Sequence, residues 1–302
     1  MSTAKTKIDN EVVFHFLKRD FAPDITLLTA IKDGETSQSF SFSSKGDEFV
    51  IRINPEKHGF EKDEYAYNHF NSNNIPIPKT FQIGQLNDTL HYSITAKAEG
   101  KIIDQFTKEE IRTFIPELIH TLDSIHNFPI GDTQFGDWDI DGKASKASWE
   151  NYLLKDIEGF ETYENTTPEK TLLETDVVQK ILTRFKQLVA YCPNIRHLVH
   201  ADYGFNNVLA DGKKITGVID WDLSKYGDFL YDVAWLSFWE TSIEYADIFR
   251  KHYQEKGVAI PNFDERILCY KLHLGLGALS FFSDSEQEKS YKWARERLLE
   301  LL

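Results

Sequence analysis

The residues in this chain best suited to catalysis are an aspartate and an asparagine five positions apart, Asp202 and Asn207. A further aspartate follows at Asp220. Phosphoryl transfer needs one carboxylate to orient the attacking hydroxyl and accept its proton. It also needs an amide and a second carboxylate to hold Mg²⁺ on the phosphates. Kinase-type catalytic loops place the amide five residues after the base, which is the spacing found here.

The pattern therefore predicts that Asp202 is the base and that Asn207 and Asp220 are the Mg²⁺ ligands. His200 is predicted to brace the loop through hydrogen bonds rather than to transfer protons. Aspartate and asparagine are also common in turns and helix caps, so the same residues have a purely structural interpretation. A predicted hairpin between Asn207 and Asp220 favours the chemical one, because it would return Asp220 to the same end of the sheet.

Residue patterns predict the elements that must position these groups. The N-terminal third is predicted to be rich in strands, which alternate polar and apolar residues, and to contain one helix with regularly spaced aromatics. The predicted strands are Gln38–Ser43, Glu48–Ile53 and His91–Thr95, with the helix over Phe60–Phe70.

The remaining chain is predicted to be mainly helical, because apolar residues recur with a period near 3.6. The predicted elements are helices over Lys108–His126 and Asp176–Tyr191, strands over Asn207–Ala210 and Ile215–Ile219 joined by a turn at Asp211-Gly212, and mostly helix from Tyr231 to Leu302. A strand-rich part before a helical part with one embedded hairpin is the order of elements in a kinase fold.

Composition narrows the class of protein. The chain has 302 residues, of which 41% are hydrophobic, enough for one large domain or two lobes. Its two cysteines argue against a disulfide framework. It has no apolar run of the ~20 residues needed to cross a bilayer, and its first residues lack the apolar core of a secretory signal. We therefore expect a cytoplasmic protein.

The formal net charge is −14. Such a chain repels nucleic acid and anionic membranes, so neither is expected as a partner. It would attract a polycationic small molecule, although acidity also simply keeps a protein soluble.

Several segments carry a resemblance to a known family. They run from Phe49 to Asn54, Gly59 to Phe70, Ile75 to Pro78, Cys192 to Asp202 and Asn207 to Leu209, and over Ile219-Asp220-Trp221 and Tyr226-Gly227-Asp228. In type and order they resemble the aminoglycoside phosphotransferase family, across most of residues 30–240. The resemblance is strongest to the branch that acts on hygromycin B.

This resemblance implies an α+β, protein-kinase-like bilobal fold. Residues 1–97 would form a strand-rich N-lobe that covers the nucleotide, and residues 98–302 a helical C-lobe with the catalytic loop and acceptor site. It further implies phosphorylation of a hydroxyl on a cationic aminoglycoside, with ATP or GTP and Mg²⁺, giving antibiotic resistance. We expect a monomer.

Nucleotide contacts follow from the same resemblance. The segment 34–39, which includes Ser37, falls where the family has its phosphate-covering turn, and backbone groups near Ala96 and Ala98 would recognise adenine.

The usual nucleotide lysine is replaced by Arg52, with Asp63 as its expected partner on the following helix. Arginine can bind carboxylate and phosphate with two donors. The alternative is a strand-edge arginine in a surface ion pair. Phe205 is a second departure, since related loops often carry a small residue there, and it is expected to shape the substrate entrance.

Acidic and aromatic residues after the catalytic segment are candidates for the acceptor side. The predicted substrate contacts are Asp222, Glu240, Glu244 and Trp239, and the predicted structural supports of the loop, beside His200, are Asp228 and Asp232. Solvated acids and core packing of the tryptophan are the alternative interpretations.

Two other functions remain open at this point. One is a kinase of the same fold that acts on another alcohol, such as choline, a macrolide or a small metabolite, because fold does not settle substrate. The other is a pseudokinase that binds nucleotide or a partner. Arg52 is its only support, and the presence of Asp202, Asn207 and Asp220 argues against it.

Overall fold

The computed structural model describes residues 7–31, 37–161 and 172–302. The chain divides into two compact units. Unit 1 comprises Met1–Thr121 and Phe205–Asp222, and unit 2 comprises Leu122–Gly204 and Leu223–Leu302. Together they make an α+β protein.

Unit 1 is built on a five-stranded antiparallel sheet with the order β1-β2-β3-β5-β4. Its strands are β1 (Thr26–Ile31), β2 (Gln38–Ser44), β3 (Asp47–Asn54), β4 (Thr80–Gln85) and β5 (His91–Ala96). Helix α1 (Asn10–Asp20) shares a core with this sheet, in which Leu17, Phe40 and Ile51 are all buried. Because side chains alternate along a strand, Arg52 on β3 points away from this core.

A smaller sheet in unit 1 has the order β11-β10-β6. Its strands are β6 (Lys101–Ile102), β10 (Val208–Ala210) and β11 (Ile215–Val218). The chain approaches β10 at Gly100, where φ is +85° and a Cβ would lie 1.9 Å from the carbonyl oxygen of Ala210. Only glycine fits this approach. Helix α2 (His58–Phe70) also belongs to unit 1.

Unit 2 combines a four-stranded sheet with most of the helices. The sheet has the order β8-β7-β12-β9, with β7 (Phe135–Trp138), β8 (Ala144–Lys146), β9 (His197–Val199) and β12 (Lys225–Gly227). The helices are α3 (Lys108–His126), which begins in unit 1, α4 (Trp149–Asp156), α5 (Glu158–Glu161), α6 (Thr175–Leu188), α7 (Leu230–Trp239), α8 (Tyr245–Glu255), α9 (Phe263–Asp284) and α10 (Glu288–Glu300). Helix α9 packs against α6, α7 and α10, and its Leu272, Leu276 and Leu279 are fully buried.

The structure confirms the predicted helices and strands with small changes at their ends. Helix α3 has the predicted bounds, and the predicted hairpin pairs Val208 with Val218. Helix α1 was not predicted, although its signals are present: Asp9 accepts a hydrogen bond from the N–H of Glu11 at the N-cap. Among the described residues, no helix is long and apolar enough to cross a membrane.

Candidate active site

Arg52 and Asp63 form an ion pair inside unit 1. The pair joins β3 to α2, and the side chains are 19% and 8% exposed. Because β3 has a partner strand on each side, the interpretation of Arg52 as a strand-edge residue in a surface ion pair is wrong. Burial alone would lower the pKa of Arg52, but the carboxylates of Asp63, Asp220 and Asp222 outweigh it and raise that pKa.

Asp63 makes a second contact with the predicted metal-ligand segment. Its Oδ1 accepts a hydrogen bond of 2.8 Å from the main-chain N–H of Trp221, the residue after Asp220. One carboxylate thus connects Arg52 to the backbone beside a predicted Mg²⁺ ligand. We call Arg52, Asp63 and the Trp221 N–H the unit 1 brace.

Asp220 itself has a strained backbone and an unfavourable charge environment. Its φ of +65° lies in the left-handed region, which costs a residue other than glycine about 1–3 kcal/mol. Burial, followed by the charges of Asp63 and Asp222, raises its pKa to about 6, while Arg52 acts in the opposite direction. A divalent cation at this carboxylate would offset the cost of burying its charge and the repulsion from the neighbouring carboxylates.

The hairpin brings the two predicted metal ligands to one end. Asn207 is 4% exposed, and its main-chain carbonyl accepts a 3.0 Å hydrogen bond from the N–H of Ile219, the residue before Asp220. An amide oxygen and a carboxylate oxygen are donors that suit Mg²⁺, which often takes one or two protein ligands and completes its shell with phosphates and water. The described residues contain no group of three or more His, Cys, Asp or Glu side chains that could hold a metal ion.

The other predicted nucleotide contacts also lie in unit 1. Ser37 Oγ accepts a 2.9 Å hydrogen bond from Asn54 Nδ2, whereas residues 34–36 of the predicted phosphate-covering turn lie outside the described residues. Ala96 ends β5, and Ala98 lies so close to Gly217 that a Cβ on this glycine would be 2.8 Å from the Ala98 Cβ.

In unit 2 a fully buried carboxylate holds the loop that precedes Asp202. Asp232, on α7, accepts main-chain hydrogen bonds from His200 (3.0 Å) and Ala201 (2.6 Å). Its Oδ2 also lies 2.8 Å from Nε2 of the buried His126. Ala201 has a φ of +61°, so the carboxylate stabilises a strained turn. We call Asp232, His126 and the two N–H groups the unit 2 brace.

The loop also closes on itself around Asp202. The Asp202 N–H points to Nδ1 of His200 at 3.3 Å, and the Gly204 N–H donates to the Asp202 carbonyl at 2.8 Å. His200 is fully buried, whereas Asp202 is half-buried. The imidazole thus contacts the backbone of the predicted base. Phe205, expected at the substrate entrance, is 3% exposed in unit 1.

Asp228 is held from several sides inside unit 2. It forms a bidentate pair with Arg266, with N···O distances of 2.8 and 2.6 Å, and accepts a 2.5 Å hydrogen bond from Tyr270. It is fully buried. These contacts leave its carboxylate enclosed by protein groups.

The predicted acceptor contacts are divided between the units. Trp239, which ends α7, stacks on Trp293 of α10 with ring centroids 5.4 Å apart, and Glu240 follows it directly. Glu244 is exposed immediately before α8. Asp222 lies in unit 1, where it packs against Gly59.

Sequence reasoning missed Arg266 and Tyr270, which hold Asp228, and also His126 in unit 2 and Lys62 in unit 1. His126 completes the unit 2 brace from 106 positions away in the chain, and Lys62 of α2 donates to the main-chain carbonyl of Asp222. Neither belongs to a recognisable motif. The only signal was their position on the predicted helices, next to Asp63 for Lys62 and at the last residue for His126.

The fold is that of a phosphotransferase. The phosphotransferase enzyme family model matches residues 28–266, and the chain belongs to this family. Among curated proteins, it is 30% identical over 253 residues to hygromycin-B 4-O-kinase of Escherichia coli, a match that spans 83% of this chain and 73% of that protein.

Comparison with solved structures also identifies phosphotransferases as similar proteins. The crystal structure of aminoglycoside phosphotransferase APH(4)-Ia superposes with a TM-score of 0.85 at 27% identity, over 96% of this chain and 97% of that one. A thermostable mutant of APH(4)-Ia, in ternary complex with AMP-PNP and hygromycin B, gives a TM-score of 0.84 at 28% identity, over 96% and 97% of the two chains.

Proposed function

We propose that this protein is a kinase that transfers a phosphoryl group from ATP or GTP to a hydroxyl of an aminoglycoside, with hygromycin B as the substrate, and so gives antibiotic resistance. The observation that carries the proposal is the position of Asn207 and Asp220 at one end of a hairpin, with the unit 1 brace beside Asp220. The names of the relatives support the acceptor and the nucleotide, since one is a hygromycin-B 4-O-kinase and another binds AMP-PNP and hygromycin B.

Each residue has a definite task in this proposal. Asp202 orients the acceptor hydroxyl and takes up its proton, and Asn207 and Asp220 hold Mg²⁺. The metal, when bound, neutralises charge on the phosphates. Arg52 binds phosphate oxygens and is oriented by Asp63.

The remaining contacts complete the proposal. Backbone groups at Ser37 contact the phosphates, and those at Ala96 and Ala98 contact the base, so that residues 1–97 cover the nucleotide and residues 98–302 carry the catalytic loop and the acceptor site. His200, Asp228 and Asp232 keep the catalytic loop in place.

The proposed acceptor is a polycation, which suits a chain with a net charge of −14. Carboxylates would bind its ammonium groups, and an indole ring would pack under a sugar face. The proposed contacts are Asp222, Glu240, Glu244 and Trp239. The protein acts as a monomer and needs no nucleic acid or membrane partner.

A panel of acceptors tests this function. The full chain is incubated with Mg²⁺, ATP or GTP, and hygromycin B, kanamycin, choline or a macrolide, and the products are weighed by mass spectrometry. We expect hygromycin B to gain one phosphoryl group. If choline or the macrolide is phosphorylated instead, the proposed acceptor is wrong, but the proposed phosphoryl transfer to a hydroxyl is supported. Nucleotide binding without transfer to any acceptor would favour a pseudokinase.

A further inference from the structure

A buried lysine lies beside the segment that holds Asp220. Lys62 is 1% exposed, and its Nζ donates a hydrogen bond to the main-chain carbonyl of Asp222. Lysine is almost never fully buried unless its ammonium group is paired. Its burial therefore points to the group that it binds, which is the backbone two residues after the proposed Mg²⁺ ligand.

Hydrogen bonds hold the main chain on both sides of Asp220. Before it, the Ile219 N–H donates to the carbonyl of Asn207 at 3.0 Å. After it, the Trp221 N–H donates to Asp63 at 2.8 Å, and Lys62 binds the next carbonyl. An aspartate stays in the left-handed region only where its surroundings impose it. Each of these contacts therefore helps to keep the Asp220 carboxylate in one orientation.

One face of α2 supplies most of these contacts. Lys62 and Asp63 are adjacent on this helix, and Gly59, one turn earlier, packs so closely on Asp222 that a Cβ would lie 3.1 Å from the Asp222 Cγ. Helix residues three and four positions apart lie on the same face. The helix thus contacts the segment through its backbone at Gly59 and through the side chains of two consecutive residues.

We infer that Lys62 is a positioning residue, which fixes the segment Asp220–Asp222 and thereby sets the affinity for the Mg²⁺–nucleotide complex. The inference rests on the proposed function, in which Asp220 is a Mg²⁺ ligand. Residues that orient a metal ligand typically change metal affinity by about 10–100-fold when they are removed. Without the ammonium group, the Asp222 carbonyl loses its donor and the segment can turn.

The test compares Lys62→Met with wild type in two measurements on the full chain. The first is amide hydrogen exchange at Trp221 in the metal-free protein, which we expect to accelerate by about tenfold or more. The second is AMP-PNP binding at increasing Mg²⁺ without acceptor. There we expect the Mg²⁺ needed for half-saturation to rise by about 10–100-fold. Lys57→Met is the matched control, because Lys57 is an exposed lysine at the start of the same helix, and it should change neither value.

Two further variants separate positioning from packing. Lys62→Arg keeps a cationic donor and should retain most of the Mg²⁺ affinity, whereas Lys62→Gln is too short to keep the contact and should lose it. If Lys62→Met does not fold, this pair carries the test. Equal Mg²⁺ dependence in Arg and Gln variants, or an unchanged Lys62→Met, would overturn the inference. If wild type binds AMP-PNP without any need for Mg²⁺, the proposed role of Asp220 fails instead, and exchange at Trp221 still reports whether Lys62 holds the segment.

Discussion

The unit 1 brace and the unit 2 brace place a carboxylate beside a strained turn, but they differ in what surrounds the carboxylate. Asp232 is fully buried and is shared by two main-chain N–H groups and the imidazole of His126. Asp63 is shared by one N–H group and by Arg52, which remains 19% exposed. Asp63 also adds to the negative charge around Asp220.

Because of this difference, we expect the two braces to contribute to different properties of the protein, one to stability and the other to ligand binding. The unit 2 brace surrounds a fully buried carboxylate with three hydrogen-bonding groups, so its loss should mainly reduce the stability of the protein. The unit 1 brace lies among the carboxylates of Asp63, Asp220 and Asp222, whose negative charge exceeds that of Arg52. Its loss should therefore mainly change the affinity for a cation and for phosphates.

Asp202→Asn should have the largest effect on turnover. The amide can still occupy the braced loop but cannot accept the proton of the acceptor, and a general base contributes about 10²–10⁴-fold to the rate. ADP release with hygromycin B, ATP and Mg²⁺ measures the loss, and AMP-PNP binding should remain. Turnover at the wild-type rate would remove Asp202 from the proposed role.

Asp232→Ala and Asp63→Ala should differ in kind. Loss of Asp232 leaves two N–H groups and a buried imidazole unpaired, and should lower the free energy of unfolding by about 3–5 kcal/mol. Loss of Asp63 should cost less stability but reduce kcat/KM by about 10–100-fold. Urea denaturation and steady-state kinetics measure the two effects.

Asp63→Asn is the control that keeps an acceptor for the Trp221 N–H. An equal loss of activity in Asp63→Ala and Asp63→Asn would show that the effect comes from the charge of Asp63 and not from this hydrogen bond.

Acidification should weaken the region of the unit 2 brace through His197. This residue donates from Nδ1 to the carbonyl of His126 at 2.7 Å, and burial lowers its pKa below the ordinary value. Between that lowered pKa and about 6.5, the unfolded chain binds more protons than the folded one, so the free energy of unfolding falls as the pH decreases through this window. Urea denaturation from about pH 7.5 to about pH 5 should show a shallower fall for His197→Gln than for wild type.

Glu244→Gln should have the smallest effect. The residue lies outside both braces and is exposed before α8, so loss of its charge should raise the KM for hygromycin B by about two- to fivefold and leave kcat unchanged. Kinetics at low ionic strength with varied acceptor measure it, with Glu288→Gln as the control, since Glu288 is an exposed carboxylate on α10. A fall in kcat would contradict a contact that acts only in binding.

Local patterns in the sequence predicted the fold well where neighbours in the chain decide the structure. The period of apolar residues gave α3 its bounds, and the turn at Asp211-Gly212 gave the hairpin of β10 and β11. The contacts between Asp232 and His126, and between Lys62 and the Asp222 carbonyl, join residues 106 and 160 positions apart. No local pattern specifies such pairs, because they depend on how distant helices and loops pack. The residue types at the site were therefore predictable, and most of the groups that hold them were not.

Gly100 limits how this sequence can drift. A side chain there would collide with the carbonyl of Ala210 and push away the strand that follows Asn207. An exposed residue among the proposed acceptor contacts, such as Glu244, could be exchanged without disturbing the backbone. A replacement at Gly100 would instead require several simultaneous changes in β6 and β10, so new specificities should arise around this glycine and leave it in place.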